Sequence, residues 1–271
     1  MIASKAMASM DWIDLLNIRQ SKGLPVDVET SYAKLYMDPD LHHSSGYFCE
    51  GVATLEEAQK KKVDVILERL RLQEPSLKLL DIGCGWGATA LAAANRYRVD
   101  VTGITIGQYQ HAYAQSQIPD RQTAAPLVQF RLQCWEEFTE PVDRIICVNA
   151  FENFENKEEF LPHCRRLLRA GGRMVMLAVT ADRPIFRVVP LGRVIEWAER
   201  AGFNVDISPS LARDYALTLD CYVSNLRVCR NEAIALVGES RFARQVDYYS
   251  RCADFLRSGI NDMFEFTFTL R

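Results

Sequence analysis

The chain has no apolar run approaching the ~20 residues a bilayer span needs, so no transmembrane helix is expected. Its N-terminus carries Asp11 and Asp14. It lacks an apolar core followed by a small-residue cleavage site, so it does not read as a secretory signal. There is no excess of positive charge. Formal net charge is −3 over 271 residues, so no global field recruits nucleic acid or an anionic membrane. There is no Cys-x-x-Cys among the eight cysteines, and only four histidines. No metal site is expected, and the cysteines, mostly inside apolar runs, read as reduced core thiols of a cytoplasmic protein. There is no internal repeat and no low-complexity tract.

What is present is ordinary globular composition, 48% apolar and 25% charged. Met10, Ile13, Leu15, Leu16 and Ile18 predict an amphipathic N-terminal helix, a face that could pack on a second copy of the chain. Thr54 with Glu57 three residues on predicts a capping box, opening a helix to about Leu72 with Val63, Ile66, Leu67 and Leu70 inward. Strand and helix signals then alternate. "LKLLDIG", "VDVTGIT", "LVQFRLQC", "VDRIICVNA", "GGRMVMLAV" and "FNVDIS" read as strands, with helices between them over 87–97, from about Gln108, after Asn156, and in "GRVIEWAERAG". This rhythm predicts a doubly wound α/β sheet. Residues 211–258 read as two long helices. In "DMFEFTFTL", Phe264, Phe266 and Phe268 alternate with Glu265, Thr267 and Thr269, predicting a half-buried antiparallel final strand.

The chemistry centres on "LLDIGCGWGATALAA", Leu79–Ala93. A strand, a glycine-rich turn and a helix make a nucleotide-type site in α/β folds. Gly83 and Gly85 allow a tight turn and close approach of backbone to ligand. No Lys follows the glycines, which excludes a P-loop. Asp81, still on the strand, suits an ammonium better than a pyrophosphate. Some 75 residues precede the motif, enough to cover a ligand. These features point to S-adenosylmethionine (SAM), which carries an ammonium, a carboxylate and a sulfonium but no phosphate. The second strand lacks the usual terminal acid for ribose hydroxyls; Thr105 and Gln110 are the polar groups available instead.

With "HSSGYF", "TLEEAQ", "GCGWG", "GITIGQYQ", "CWEEF", "AFENF" and "DYALTLD", the chain resembles the cyclopropane fatty acid synthase and mycolic acid cyclopropane synthase family of SAM-dependent methyltransferases. The resemblance implies a class I methyltransferase fold, a Rossmann-like sheet of seven strands with the last antiparallel, under a helical cap. It implies one methyltransferase domain over 1–271: an N-terminal helical cap region at 1–74, a SAM-binding core at 75–210, a helical substrate-binding insertion at 211–260 and a final strand at 261–271. On the cofactor side it implies His43, Asp81, Gly83, Gly85, Thr105, Ile106 and Gln110, with Trp135 and Glu136 beside the adenine.

On the reaction side, the resemblance implies methyl transfer to an alkene and a carbocation, with a bound bicarbonate that takes a proton. The bicarbonate is held by a Cys, a Glu, a His and a Tyr. Glu152 and Tyr215 match two of these. Ser45 stands at the Cys position, Leu177 at about the His position, and Asn153 where a His usually follows the Glu. Leu177 cannot hydrogen-bond an anion. Glu152 is therefore the residue expected to take the proton directly, with Tyr215 orienting it or the substrate. Ser45, Tyr47, Phe151, Phe154 and Leu177 are expected on the substrate side, the aromatic ones facing the cation. Only "TADRPIFRVVP" follows the fifth strand where relatives carry a long lid, which implies a smaller or more open pocket. The expected activity is C-methylation of an alkene in a small hydrophobic substrate, an isoprenoid or specialised metabolite. The alternatives are N-methylation of a small amine, a cyclopropane synthase on unsaturated acyl lipids, and a SAM-binding protein that no longer methylates.

Overall fold

A computed structural model describes residues 25–74, 76–118, 127–184 and 187–271. The expected helix around Met10 to Ile18 lies outside the described residues.

Helix α1 (Val26–Lys34) leads to a long loop and then to α2 (Leu55–Leu70). The Thr54 capping box forms: Thr54 Oγ1 accepts the Glu57 N–H at 3.2 Å, and the Glu57 carboxylate accepts the Thr54 N–H at 3.0 Å. Two orphan donors of the first turn are satisfied there, which fixes where α2 begins. Its inner face, Ile66, Leu67 and Leu70, is fully buried. The core follows as β1 (Lys78–Ile82), α3 (Ala88–Tyr97), β2 (Asp100–Thr105), α4 (Gln108–Ser116), β3 (Val128–Leu132), β4 (Val142–Val148), α5 (Lys157–Leu167), β5 (Leu168–Ala181), the two-residue β6 (Val189–Pro190), α6 (Leu191–Arg200) and β7 (Phe203–Ile207). Asn156 occupies the N-cap position of α5, and its side chain makes no capping bond.

The region 211–258 is three helices rather than two: α7 (Ala212–Val228), α8 (Arg230–Val237) and α9 (Glu239–Arg257). Gly238, at φ 80°, ends α8 in a conformation that favours glycine. The chain closes with β8 (Asn261–Leu270).

The sheet runs β3-β2-β1-β4-β5-β8-β7, with β6 beside β5. Pairings are parallel except those of β8, which lies antiparallel between β5 and β7. Because β8 is inserted, it is not half-buried. Glu265 and Thr267 are as inaccessible as Phe266 and Phe268. The cost of burying Glu265 is offset by partners: Tyr47 Oη donates to it at 2.7 Å and Arg69 pairs with it.

One apolar cluster lies between the sheet and α5 and α6, and a second between the sheet and α2 and α3. A third joins α1 to α7 and α9, above the sheet's ligand-binding end. The cysteines are unpaired, but only Cys147 and Cys164 are buried and Cys49 is exposed, so few are core thiols. Among the described residues no helix is long and apolar enough to cross a membrane.

Candidate active site

The carboxyl ends of the parallel strands open into one cavity, the place where open α/β sheets bind ligands. Gly83, Gly85 and Gly87 have φ of 74°, 55° and 90°, which non-glycine residues rarely adopt. Each glycine is needed for a further reason. A Cβ on Gly83 would lie 2.4 Å from Ala150 Cβ, and one on Gly87 2.7 Å from Phe130. On Gly85 nothing lies closer than Gln110 Nε2 at 4.0 Å, so a side chain there would enter the cavity itself. Gly85 is where backbone must face ligand.

Asp81 sits on the cavity wall, 3% exposed, with Oδ2 unpartnered. Burial pushes its carboxyl up to about 7, against the opposing pull of Lys62. Lys62 is buried on α2 and donates to Ser44 Oγ and Gln59 Oε1, both at 2.7 Å. Burial holds its ammonium down at about 7. An orphaned carboxylate at the end of β1 is what an incoming ammonium needs. Thr105 Oγ1 donates to Gln110 Oε1 at 3.1 Å and accepts the Gly107 N–H at 3.2 Å. The Gln110 amide nitrogen is thereby turned toward Gly85 and the cavity, free to meet a hydroxyl. Ile106 and Glu136 are on the same wall. Trp135 is 6% exposed, edge-on to Phe160 at 5.2 Å and tilted over Phe154 at 5.6 Å, so it serves the core and the cavity together.

The roof is the loop before α2. His43 lines the cavity and shares a 2.8 Å hydrogen bond with Tyr249 of α9. Burial lowers its pKa to about 4, so the ring is neutral and can offer a hydrogen bond to a carboxylate but no charge. The loop is fastened to α7. Tyr222 Oη donates to the His42 carbonyl at 2.6 Å, and Thr218 Oγ1 accepts the Gly46 N–H at 2.9 Å.

The expected substrate side is arranged differently. Phe154 lines the cavity. Phe151 is fully buried against Phe160, 5.6 Å between ring centroids, and belongs to the core rather than the cavity wall. Tyr47 is turned away, its hydroxyl spent on Glu265. Ser45 is fully buried and donates to the Gly46 carbonyl at 2.9 Å, so its hydroxyl is also used. Leu177 is fully buried on β5, opposite Glu265. None of these four reaches the cavity wall.

Glu152, on a 3₁₀ turn at Phe151–Asn153, lies just behind that wall. Its Oε1 accepts the Val179 N–H at 2.6 Å and Asn149 Nδ2 at 3.1 Å, while Oε2 is buried without a partner. Burial raises its pKa, with the two donors opposing. Tyr215 lies near enough that the Glu152 charge, after burial itself, helps raise its phenol. The short connection after β5 folds back along it, pairing Thr180 with Val189, and Arg187 donates to the Asn153 carbonyl at 3.1 Å.

Sequence reasoning missed Lys62, Ser44 and Asn149. Lys62 had a signal, a charge on the same helical face as Val63, Ile66 and Leu70. Asn149 had none, because its side-chain partners, Ser45 and Glu152, meet only in the fold.

A mostly parallel seven-strand path with β8 reversed, a glycine turn after β1 and an orphaned acid beside it define a class I SAM-dependent methyltransferase. Residues 23–266 match the mycolic acid cyclopropane synthetase family. Cyclopropane mycolic acid synthase 3 of Mycobacterium tuberculosis is 34% identical over 272 residues, 89% of this chain and 93% of the relative. The S-adenosylmethionine-dependent methyltransferase UmaA of the same organism is 34% identical, covering 90% and 94%. The crystal structure of mycolic acid cyclopropane synthase CmaA1 complexed with SAH and CTAB superposes with a TM-score of 0.84 at 33% identity, covering 90% and 95%. The chain belongs to the mycolic acid cyclopropane synthetase family and is a SAM-dependent methyltransferase.

Proposed function

We propose that the enzyme methylates an alkene carbon in a hydrophobic substrate and that Glu152 removes the proton that ends the reaction. One observation carries this reading: Glu152 Oε2 is buried and unpartnered, on a carboxylate whose other oxygen is firmly held.

SAM carries its methyl on a sulfonium, and on transfer the C–S bond breaks and its electron pair stays on sulfur as a neutral thioether. Asp81 holds its ammonium, Gly83 and Gly85 bring backbone against it, and His43 meets its carboxylate as a neutral donor. Thr105 and Gln110 hold the ribose, with Ile106, Trp135 and Glu136 around the adenine. Fixing both partners in line supplies much of the rate. The substrate's C=C electron pair forms the new C–C bond, and positive charge is left on the neighbouring carbon. Phe154 on the cavity wall and Tyr215 on the cap offer aromatic faces to stabilise it. Glu152 Oε2 then takes a proton from an adjacent C–H, whose electron pair forms a new C=C bond. Burial raises the basicity of Glu152, which favours that step.

If the C–H that gives up its proton belongs to the added methyl group, the same pair closes a cyclopropane ring. That second reading, a cyclopropane synthase on an unsaturated acyl chain, is favoured by relatives named cyclopropane mycolic acid synthases.

The test is turnover with carbon-13 methyl SAM on prenyl diphosphates, terpenoid-bearing indoles, unsaturated phospholipids and cyclic amines. Label on an alkene-derived carbon, lost by about 10³-fold in Glu152→Gln, is the expected result. Label in a cyclopropane would select the second reading. Label on nitrogen would sink both.

A further inference from the structure

Asn149 directly follows β4 and stands on the cavity wall at φ 48°, a conformation asparagine tolerates better than most side-chain-bearing residues. Its side chain bridges two segments distant in sequence. Oδ1 accepts the Ser45 N–H at 3.3 Å, and Nδ2 donates to Glu152 Oε1 at 3.1 Å. Its own N–H donates to the Leu177 carbonyl at 2.9 Å. One residue thus ties together the roof loop, β5 and the acid. With Val179, it saturates Oε1 and leaves Oε2 bare. A carboxylate held this way presents a single acceptor in one direction.

We propose that Asn149 is the positioning residue of the reaction: its planar carboxamide fixes Glu152 so that Oε2 receives the proton, and it fills the gap between Ser45 and Glu152 that a small planar anion would otherwise occupy. The proposal rests on Glu152 being the proton acceptor. It follows that this enzyme needs no external anion as base.

Titratable groups face Glu152 from every side: Lys157 of α5, Cys147 of β4, Tyr215 of α7 and Tyr248 of α9. Lys157 is the cation among them, and it donates to the Phe154 carbonyl at 2.5 Å. None of these groups changes in the variants below, so a shift in Glu152 reports on Asn149.

Asn149→Gly suits the positive φ, so the turn is retained and a carboxamide-sized space is left. Asn149→Asp keeps the shape and turns the donor into a like charge. The first readout needs no substrate. The carboxyl resonance of Glu152 is titrated in carbon-13 glutamate-labelled protein with S-adenosylhomocysteine bound, assigned by its loss in Glu152→Gln. The midpoint is expected higher in Asn149→Gly, which lacks one donor, and higher still in Asn149→Asp. Formamide, planar with a donor and an acceptor, should lower the Asn149→Gly midpoint and leave wild type unmoved.

The second readout is turnover on whichever substrate is methylated. At neutral pH the Asn149→Gly rate should fall by about 10- to 100-fold and recover with formamide or bicarbonate. Wild type should respond to neither. An unchanged midpoint in Asn149→Gly would overturn the proposal, and so would a raised midpoint that formamide does not lower. Stimulation of wild type by bicarbonate would overturn it as well, since the gap would then be open. Full turnover in Glu152→Gln would instead remove the parent reading and leave the titration result standing.

Discussion

The two halves of the cavity region are built from different kinds of residue. The cofactor half rests on backbone and on sheet ends: glycines at positive φ, an acid at the end of β1, and a Thr105–Gln110 pair after β2. The reaction half rests on groups from the turn after β4, the roof loop and the cap that meet only in the fold: Glu152, Asn149, the Ser45 backbone and Tyr215. A sheet end tolerates few local solutions, so its residues carry a recognisable spacing. A side-chain cluster assembled from distant segments has many solutions. Substitution there can alter chemistry while the cofactor half stays intact.

That contrast can be broken or sharpened. The largest effect on binding should come from Asp81→Asn, which removes the charge awaiting the ammonium. S-adenosylhomocysteine should bind about 10- to 100-fold more weakly by calorimetry. The pH dependence follows from the same group. With its carboxyl at about 7, Asp81 must lose a proton below that pH before it can meet an ammonium. Affinity should therefore rise with pH up to about 7 and then level off, and Asp81→Asn should flatten the curve. For folding stability the sign is opposite. An unfolded chain ionises this acid first, so its contribution to folding stability falls as pH climbs from the ordinary carboxylate range toward 7.

A smaller effect, and on stability alone, is expected for Tyr47→Phe. Glu265 would lose its 2.7 Å donor in a buried setting. A loss of about 1–3 kcal/mol in denaturant unfolding, with unchanged ligand affinity, would place Tyr47 in the frame rather than the pocket. The smallest is Thr54→Ala, which removes half of a capping box on an exposed helix end. It should cost about 1 kcal/mol and leave binding and turnover alone.

These differences explain what was legible in the sequence. The succession of strands and helices around the glycine turn followed from hydrophobic periodicity and from the turn's glycines, because each of those features is local. The nine expected cofactor residues, from His43 to Glu136, line one cavity. On the other side, Phe151 and Tyr47 looked like substrate-facing aromatics, yet one fills the core and the other satisfies Glu265. An aromatic residue reads the same in sequence whether its neighbours are a ligand or a phenylalanine. The final strand's alternation suggested one wet face, but burial on both faces depends on where the strand inserts. Glu265 gave no hint that Arg69, far away in sequence, would pair with it. Asn149 was invisible for the same reason, since its partners Ser45 and Glu152 meet only in the fold.

The most direct measurement sets Glu152→Gln beside wild type for S-adenosylhomocysteine affinity and for methyl transfer in the same preparation. The account predicts equal affinity with transfer reduced by about 10³-fold, because Glu152 serves the reaction half alone. Affinity weakened as much as in Asp81→Asn, or transfer at the wild-type rate, would contradict it.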